Sequence, residues 1–246
     1  MHEGLVEINK FVLKHRRFFI IANFLLSVTW YTRYLGRRKR LIHRYSKNFE
    51  KVKVHLGCGD NKLQGWINTD LKWRRDIFYL NVVREFPFPS NTVDYIFSEH
   101  MIEHLTYLDA KKMLENCYRV LKPGGKIRIA TPDFDFLIKL YTEDLSLHRD
   151  YIKWHVSNYL PYIGDLGDPS LVINNFFRAW GHKTIFNRNT LTYLLKNVGF
   201  ENIVNMNVGQ SADPDLTGVE HHGDFIGEEY NLLETMVLEA QKIKTK

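Results

Sequence analysis

The stretch "VHLGCGDN" (residues 54–61) reads as a short strand that runs directly into a turn containing two glycines. Two glycines one residue apart after a strand indicate a backbone that approaches a ligand closely, because glycine lacks a Cβ and adopts positive φ angles freely. A dinucleotide, a nucleoside triphosphate and S-adenosylmethionine are the candidate ligands, and a turn without a ligand is the fourth alternative. The neighbouring segments decide between them.

Around this stretch, short apolar runs alternate with segments of helical periodicity. Thr106 and Asp109 have the spacing of a capping box, and an apolar stripe follows them on one helix face, ending before a Pro-Gly-Gly stop at residues 123–125. Further helices are predicted from Phe134 and over residues 189–198. Strands are predicted at residues 52–56, 66–70, 77–82, 93–97, 126–130, 200–208 and 234–239. This alternation predicts an α/β fold with a seven-stranded, mostly parallel sheet and helices on both faces.

Residues 145–186 have no clear periodicity and are rich in aromatic residues. We predict an irregular insertion there. Its aromatic side chains are expected to belong to the core, and a platform that binds substrate is the alternative. The two cysteines, Cys58 and Cys117, do not suggest a disulfide framework and favour a reducing compartment.

Positive charge is concentrated at the N-terminus. Residues 1–48 contain 11 Lys/Arg and two Asp/Glu, whereas the net charge of the whole chain is only +6. Residues 18–32 form an uncharged run of 15 residues between basic flanks, shorter than the ~20 apolar residues that a spanning helix needs. We predict a basic amphipathic helical segment over residues 1–50, appended to one domain at residues 51–246. Such a helix lies in the headgroup layer of a membrane or packs on the main body. We expect a membrane-surface contact through residues 10–44, in a cytoplasmic protein at the inner face of the membrane.

The glycine turn departs from both phosphate-binding patterns. No GxxxxGK[ST] motif is present, and the turn lacks the third glycine of a dinucleotide site. Asp60 would stand where a pyrophosphate sits, which adds repulsion. S-Adenosylmethionine carries no phosphate, and Asp70 at the end of the second strand can accept hydrogen bonds from its ribose hydroxyls. These features favour S-adenosylmethionine as the ligand.

Five segments, in order over about residues 52–242, resemble class I S-adenosylmethionine-dependent methyltransferases of type 11. They are "VHLGCGDN", "GWINTDL", "FPFPSNTVDYIFSEHMIEHL", "YRVLKPGGKIRIATPD" and "WGHKTIFNRNTLTYLLKNVGF". The resemblance implies a Rossmann-like fold. The ending, "DPDLTGVEHHG" followed by "ETMVLEAQK", also resembles methyltransferases of bacterial surface-polysaccharide and lipopolysaccharide biosynthesis.

The resemblance also implies the residues that contact the cofactor S-adenosyl-L-methionine. Asn81 stands where the family often has an acid near the adenine, and Ser98 and Glu99 match positions that line the reaction centre. The complete set is Leu56, Gly57, Cys58, Gly59, Asp60, Asp70, Leu71, Asn81, Val82, Ser98 and Glu99. The family also favours a Glu-His pair, which falls on Glu103 and His104; a helix cap is the alternative reading of that pair.

Methyl transfer to a sugar hydroxyl profits from a general base, for which histidine is the usual residue near neutral pH. His104 and Asp133 are the predicted catalytic residues, because each follows the end of a strand. The other candidates are His100, His182, His221, His222 and Asp135. We predict no metal ion, because Asp133 and Asp135 alone do not make a carboxylate-rich site.

The leading interpretation is an O-methyltransferase acting on a glycan or lipid-linked glycan acceptor. The alternatives are an RNA or small-molecule methyltransferase and an inactive cofactor-binding scaffold. Nucleic acid is disfavoured as a partner, since apolar residues interrupt the basic arm. The sequence does not indicate an oligomeric state.

Overall fold

A computed structural model describes residues 47, 50–72, 74, 76–164 and 166–243. The chain divides into two compact units, residues 1–48 and residues 49–246, and nearly all of the described residues belong to the second unit. The predicted N-terminal helix and its membrane contact through residues 10–44 lie outside the described residues. No helix among the described residues is long and apolar enough to cross a membrane.

Seven strands form one sheet in the order β3-β2-β1-β4-β5-β7-β6. The strands β1 to β6 run parallel, whereas β7 pairs antiparallel with both β5 and β6. Their bounds are Lys53–Leu56 (β1), Ile67–Asp70 (β2), Phe78–Tyr79 (β3), Val93–Glu99 (β4), Leu121–Pro132 (β5), Glu201–Met206 (β6) and Thr235–Gln241 (β7). The predicted Rossmann-like, seven-stranded and mostly parallel sheet is confirmed.

Helices α1 to α7 of the described residues span Tyr107–Val120, Phe134–Thr142, Ser146–Tyr159, Pro169–Arg178, Arg188–Val198, Gly223–Ile226 and Glu228–Glu234, in that order. The predicted cap at Thr106 is confirmed, because its side chain accepts a hydrogen bond from the Asp109 N–H at the start of α1; the Asp109 carboxylate accepts from the Thr106 hydroxyl rather than from its backbone N–H. Helix α5 ends at Gly199, whose φ of 110° is the left-handed C-cap conformation that glycine adopts without strain.

Two predictions about individual strands need correction. The third strand covers only Phe78–Tyr79, because the chain beyond it turns at residues 81–84, where the Arg84 N–H donates to the Asn81 carbonyl. Strand β5 begins at Leu121, immediately after α1, because Leu121 pairs with Val93 before the register shifts.

The prediction of an irregular segment at residues 145–186 is wrong in part, because α3 and α4 lie within it. Asp168 caps α4 at Ser170, and Pro169 occupies the first turn, where its missing N–H is harmless. The two helices are stabilised by tertiary burial: Tyr151 and Val156 of α3 share an apolar cluster with Phe176 of α4 and with α2. Much of the aromatic segment is therefore core, as predicted.

Arg128 of β5 is fully buried and holds the C-terminal half of the sheet together. Its guanidinium group contacts the carboxylates of Glu220 and Glu239, the latter at 2.6 Å. It also donates to the carbonyl oxygens of Asn207 and Gln210. The arrangement fixes the loop between β6 and α6, and that loop supplies part of the site described below.

We expect Arg128→Met to lower the free energy of unfolding by about 3–5 kcal/mol, because it leaves two buried carboxylates without their cation. Urea denaturation followed by circular dichroism measures the change. The control is Arg149→Met: Arg149 pairs with Asp144 at the surface, and such exposed pairs contribute at most about 1 kcal/mol. Equal losses for the two variants would contradict the structural role of Arg128.

Candidate active site

The glycine turn after β1 lies against the end of β2. Gly57 and Gly59 have φ angles of +66° and +53°, which place both in the region that favours glycine. The Cys58 N–H donates to the Thr69 carbonyl at 3.0 Å, and the Gly59 N–H donates to Asp70 Oδ2 at 3.1 Å. The structure thus brings the predicted ribose-binding carboxylate of Asp70 to the turn.

The two glycines differ in their surroundings. A Cβ at Gly57 would lie 2.3 Å from Met101 Cγ, whereas a Cβ at Gly59 would meet nothing within 4 Å. The turn is therefore packed against the chain beyond β4 at Gly57 and open beside Gly59. An open glycine next to a partly exposed carboxylate leaves room and a hydrogen-bond acceptor for a polar ligand.

Four further residues of the predicted cofactor site lie in or beside this turn: Leu56, Cys58, Asp60 and Leu71. Leu56 is buried in β1, and Leu71 is exposed just after β2. Burial raises the pKa of the Cys58 thiol to about 11, so it is not a nucleophile at neutral pH. Asp60 is exposed and forms an ion pair with Arg74.

The remaining predicted residues lie after β3 and at the end of β4. The Asn81 side chain accepts a hydrogen bond from the Val83 N–H at 3.1 Å, and Val82 is buried. Ser98 and Glu99 do not follow the fourth strand as predicted, because they are its last two residues. Ser98 is fully buried within the sheet, and its contribution to the reaction centre stays a prediction.

Glu99 joins three segments at the carboxyl end of β4. Its Oε1 accepts hydrogen bonds from the backbone N–H groups of His221 and His222, each at 2.9 Å. Its Oε2 accepts from the Asn61 side chain at 3.3 Å. Burial raises the pKa of Glu99. The carboxylate thereby links the glycine turn to the loop before α6.

A cavity of about 260 Å³ opens beside this carboxyl edge. Three elements form its walls: the turn after β4, the helices α3 and α4, and the segment around α6 and α7. The residues that line it are His100, Glu103, His104, Pro132, Trp154, His155, Tyr159, Phe176, Trp180, His182, His222, Ile226 and Glu234. Aromatic and histidine side chains predominate in this lining. Part of the aromatic segment at residues 145–186 therefore faces a cavity, which agrees with the alternative prediction of a substrate platform.

Glu103 is a buried carboxyl group at the wall of the cavity. Its Oε2 accepts a hydrogen bond from the Thr131 hydroxyl at 3.0 Å. Its Oε1 has no hydrogen-bond partner among the described residues and lies 3.5 Å from His100 Nδ1. Burial raises the pKa of Glu103 to about 8, which favours the neutral form of this carboxyl group at neutral pH.

His100 has a φ of +43°, an unusual value for a residue other than glycine, which marks the sharp turn out of β4. The Thr235 hydroxyl donates to Asn231 Oδ1 at 2.9 Å and therefore accepts from His100 Nε2–H at 3.0 Å. The imidazole of His100 stacks on that of His222 at 3.7 Å. Burial lowers the pKa of His100 well below its usual range, so the ring is neutral.

His222 and Glu234 form a histidine–carboxylate pair in the same wall. Their Nε2 and Oε1 atoms lie 3.2 Å apart, and the buried Tyr151 hydroxyl donates to the second oxygen of Glu234. With Nε2–H directed at the carboxylate, His222 keeps a lone pair on Nδ1. This is the arrangement of a general base oriented by a carboxylate.

His104 and His182 lie beside each other in the lining of the cavity. Their rings meet edge to face at 4.9 Å, and burial lowers the pKa of both imidazoles. His182 Nδ1–H donates to the Phe176 carbonyl at 2.7 Å, which leaves Nε2 unprotonated. His221 lies outside this wall and pairs with the exposed Asp224.

The two predicted catalytic residues have different outcomes in the structure. His104 lines the cavity, whereas the Asp133 side chain caps α2 by accepting from the Asp135 N–H at 3.0 Å. Asp133 does not belong to the cavity lining, and a helix cap explains its place after β5. His222 was one of several candidates, but Glu234 was missed because its partner is 12 residues away. The dipeptide "HH" before an acid-rich helix was the available signal.

Two groups of side chains hold potential metal ligands within 4.8 Å of one another: His100 with His222 and Glu234, and Glu103 with His104 and His182. Both groups line the cavity. The sequence-based prediction of no metal considered only Asp133 and Asp135, which belong to neither group.

Comparisons with known proteins agree with the predicted family. Residues 65–129 match the family model described as a methyltransferase domain. Ubiquinone/menaquinone biosynthesis C-methyltransferase UbiE of Escherichia coli (strain K12 / DH10B) is 34% identical over 121 residues, which cover 48% of this chain and 42% of that protein. The enzyme of the same name from Shigella boydii matches to the same extent. The chain thus spans less than half the length of these curated relatives.

Solved structures with low sequence identity also resemble the chain. A S-adenosylmethionine-dependent methyltransferase from Archaeoglobus fulgidus has 16% identity and a TM-score of 0.46, covering 85% of this chain and 94% of its own. Phosphoethanolamine N-methyltransferase 2 of Haemonchus contortus, in complex with S-adenosyl-L-methionine, has 15% identity and a TM-score of 0.43 over 83% of this chain and 53% of its own. Residues 65–129 are thus similar to a methyltransferase domain, and the similarity to the curated relatives covers 48% of this chain.

We expect Gly57→Ala to destabilise the protein more than Gly59→Ala. Both variants force alanine into a positive φ angle, at a cost of about 1–2 kcal/mol. Only the alanine at 57 also collides with Met101. Thermal unfolding of the two variants beside the parent protein measures the difference. If Gly59→Ala lowered the stability of the protein as much as Gly57→Ala does, the contact with Met101 would not be what confines the turn.

Proposed function

We propose that this chain is an S-adenosyl-L-methionine-dependent methyltransferase that methylates a hydroxyl group of a glycan or lipid-linked glycan. The methyltransferase-domain match supports the reaction class. The acceptor class rests on the chemistry of the cavity and on the resemblance of the C-terminal segment to surface-polysaccharide methyltransferases.

One observation carries the proposal: residues 99–104 form a wall shared by two different sites. On one side, Glu99 contacts Asn61 of the glycine turn and Met101 packs against Gly57. On the other side, Glu103 and His104 line the cavity. A transferase needs two neighbouring sites, one for the donor and one for the acceptor, and the wall separates two such spaces at the carboxyl edge of a parallel sheet.

The residues of the turn fit S-adenosyl-L-methionine better than a phosphate-bearing ligand. Asp70 supplies a carboxylate for ribose hydroxyls, and Gly59 leaves open space beside it. S-Adenosyl-L-methionine, when bound, supplies an electrophilic methyl group on a sulfonium ion. Acidic side chains beside the turn suit its positive charges, whereas they would repel a pyrophosphate.

The acceptor side provides a base and an apolar surface. His222 Nδ1 takes the proton of the acceptor hydroxyl, and Glu234 holds the ring and stabilises the imidazolium that forms. His104, the base first predicted, has no carboxylate hydrogen bond of this kind among the described residues. Trp154, Tyr159 and Trp180 line the cavity, and their aromatic rings suit the apolar C–H faces of sugar rings.

Methylation of a ring carbon is a second candidate reaction. The curated relatives are C-methyltransferases of ubiquinone and menaquinone biosynthesis, and an aromatic cavity also accommodates a planar ring. An enol or phenol-like acceptor would need the same base. The two candidates differ in their product, which is an acid-stable methyl ether in the first case and a carbon-bound methyl group in the second.

We expect the protein to bind S-adenosylhomocysteine and Asp70→Asn to weaken that binding at least about tenfold, since a ribose hydroxyl loses a charged acceptor. Isothermal titration calorimetry measures both affinities. Asp144→Asn, at an exposed ion pair, is the control and should bind like the parent. Absence of binding at near-millimolar ligand would reject the cofactor, and an unchanged Asp70→Asn affinity would reject the ribose contact.

We expect His222→Asn to lower kcat by about 10²–10⁴-fold and Glu234→Gln to lower it less, because the first removes the base and the second only its orientation. Incubation with methyl-labelled cofactor and extracts of the cell envelope measures label transfer, and product analysis distinguishes ethers from C-methyl groups. His221→Asn, which alters an imidazole outside the cavity, should retain activity. Full activity of His222→Asn would remove the proposed base.

A further inference from the structure

We propose that Glu103, His104 and His182 form a binding site for one divalent transition-metal ion in the wall of the cavity. Two imidazole nitrogens and one carboxylate oxygen suit Mn²⁺, Fe²⁺, Co²⁺ or Zn²⁺ rather than Mg²⁺ or Ca²⁺, which prefer oxygen ligands alone. This site replaces the sequence-based prediction that the protein holds no metal.

The fold brings the three residues together through the backbone. Glu103 and His104 belong to the short 3-10 turn Ile102–His104 after β4. The Glu103 carbonyl accepts hydrogen bonds from the N–H groups of Lys183 and Thr184, at 2.8 and 3.1 Å. These two bonds hold the chain around residue 182 against the turn, so the approach of His182 does not depend on side-chain packing alone.

The chain reaches His182 through a strained turn. Trp180 and Gly181 have φ angles of +55° and +82°, and the first of these is an uncommon conformation for a large side chain. The turn reverses the chain after α4 and directs His182 towards His104, whose ring it meets edge to face. The backbone strain is thus located where it creates the pair of imidazoles.

The ligand atoms are close enough to share an ion. One atom from each of the three residues lies within 4.8 Å of the other two. Ligands at typical metal distances stand about 3–3.6 Å from each other, so side-chain movements of roughly 1 Å complete the site. Glu103 Oε1, fully buried and without a hydrogen-bond partner among the described residues, is the oxygen available for coordination.

Neighbouring groups orient two of the three ligands. His182 Nδ1–H donates to the Phe176 carbonyl, and the Thr131 hydroxyl donates to Glu103 Oε2. Metal-binding histidines commonly direct their second nitrogen to a carbonyl or carboxylate in this way, which fixes the tautomer and leaves Nε2 for the ion. The site therefore has ordered supporting contacts before any ion binds.

The other group of potential ligands does not converge in the same manner. The imidazoles of His100 and His222 are stacked at 3.7 Å with 27° between their planes. Nε2 of His100 is committed to Thr235 and Nε2 of His222 to Glu234. These hydrogen bonds make His100, His222 and Glu234 an ordered network, and that order keeps His222 oriented as the proposed base.

The role of the ion in catalysis rests on the proposed function, whereas its binding does not. Three protein ligands leave coordination positions open towards the cavity, where an acceptor hydroxyl can bind and become more acidic. The hydroxyl proton passes to His222 Nδ1, the oxygen forms a bond to the methyl carbon, and the sulfur–methyl bond breaks with its electron pair going to sulfur. Vicinal hydroxyl groups would chelate the ion, which favours a sugar diol as the acceptor.

The test measures metal binding directly on the full-length protein after removal of bound metal with a chelator. Titration with Co²⁺, followed by visible absorption, and with Mn²⁺, followed by electron paramagnetic resonance, should show one ion per chain. Glu103→Gln and His182→Asn should each weaken binding about 100-fold or more, because each removes a ligand. His221→Asn and His222→Asn should bind like the parent protein. Thermal unfolding of every variant verifies that it is folded.

Three results would overturn the site: no binding to the folded parent protein, unchanged binding by both ligand variants, or loss of binding in His222→Asn with retention in His182→Asn. Should Glu103→Gln fail to fold, His182→Asn decides alone, since its side chain is only partly buried. S-Adenosylhomocysteine binding by the same samples keeps the two proposals separate. Cofactor binding without metal binding rejects the metal site only, and metal binding without cofactor binding rejects the proposed function only.

Discussion

The carboxylate of Glu99 is the interaction on which the candidate site depends. It stands at the end of a central parallel strand and accepts hydrogen bonds from Asn61, His221 and His222. A buried carboxylate is costly unless donors surround it, so these three bonds make the glycine turn, the end of β4 and the loop before α6 mutually dependent. The buried Arg128 also holds this loop in place through its contact with Glu220.

Because the chain leaves β4 at Glu99 and turns sharply at His100, the next five residues separate two spaces with different chemistry. The space beside Gly59 is open and lies next to the Asp70 carboxylate, whereas the cavity beyond Glu103 is lined by aromatic rings and imidazoles. In the proposed function, the first space takes the positively charged donor and the second takes an acceptor with apolar faces and a hydroxyl group. The proposal therefore assigns both halves of the transfer reaction to one edge of the sheet.

Much of the fold could be predicted from residue patterns, and the failures have physical causes. Short-range signals such as the Thr106 cap and the Gly199 helix end were correctly interpreted, because they depend on local hydrogen bonds and φ preferences. The helices within residues 145–186 were missed, and the structure shows that both are stabilised by burial in the apolar cluster that they share with α2. Asp133 was taken for a catalytic group, because a helix cap after a strand has the same sequence signature as a site residue.

The sequence by itself determined the order of the seven strands along the chain, the glycine turn and the acid that accompanies it, since hydrophobic periodicity and glycine conformation act over a few residues. Only the tertiary structure decided which polar side chains meet. Glu234 reaches His222 through a side-chain hydrogen bond across 12 residues. His182 lies beside Glu103 and His104 because backbone hydrogen bonds join two segments that are far apart in the chain. No local pattern encodes such meetings, because they depend on how the sheet and its covering helices share one buried edge.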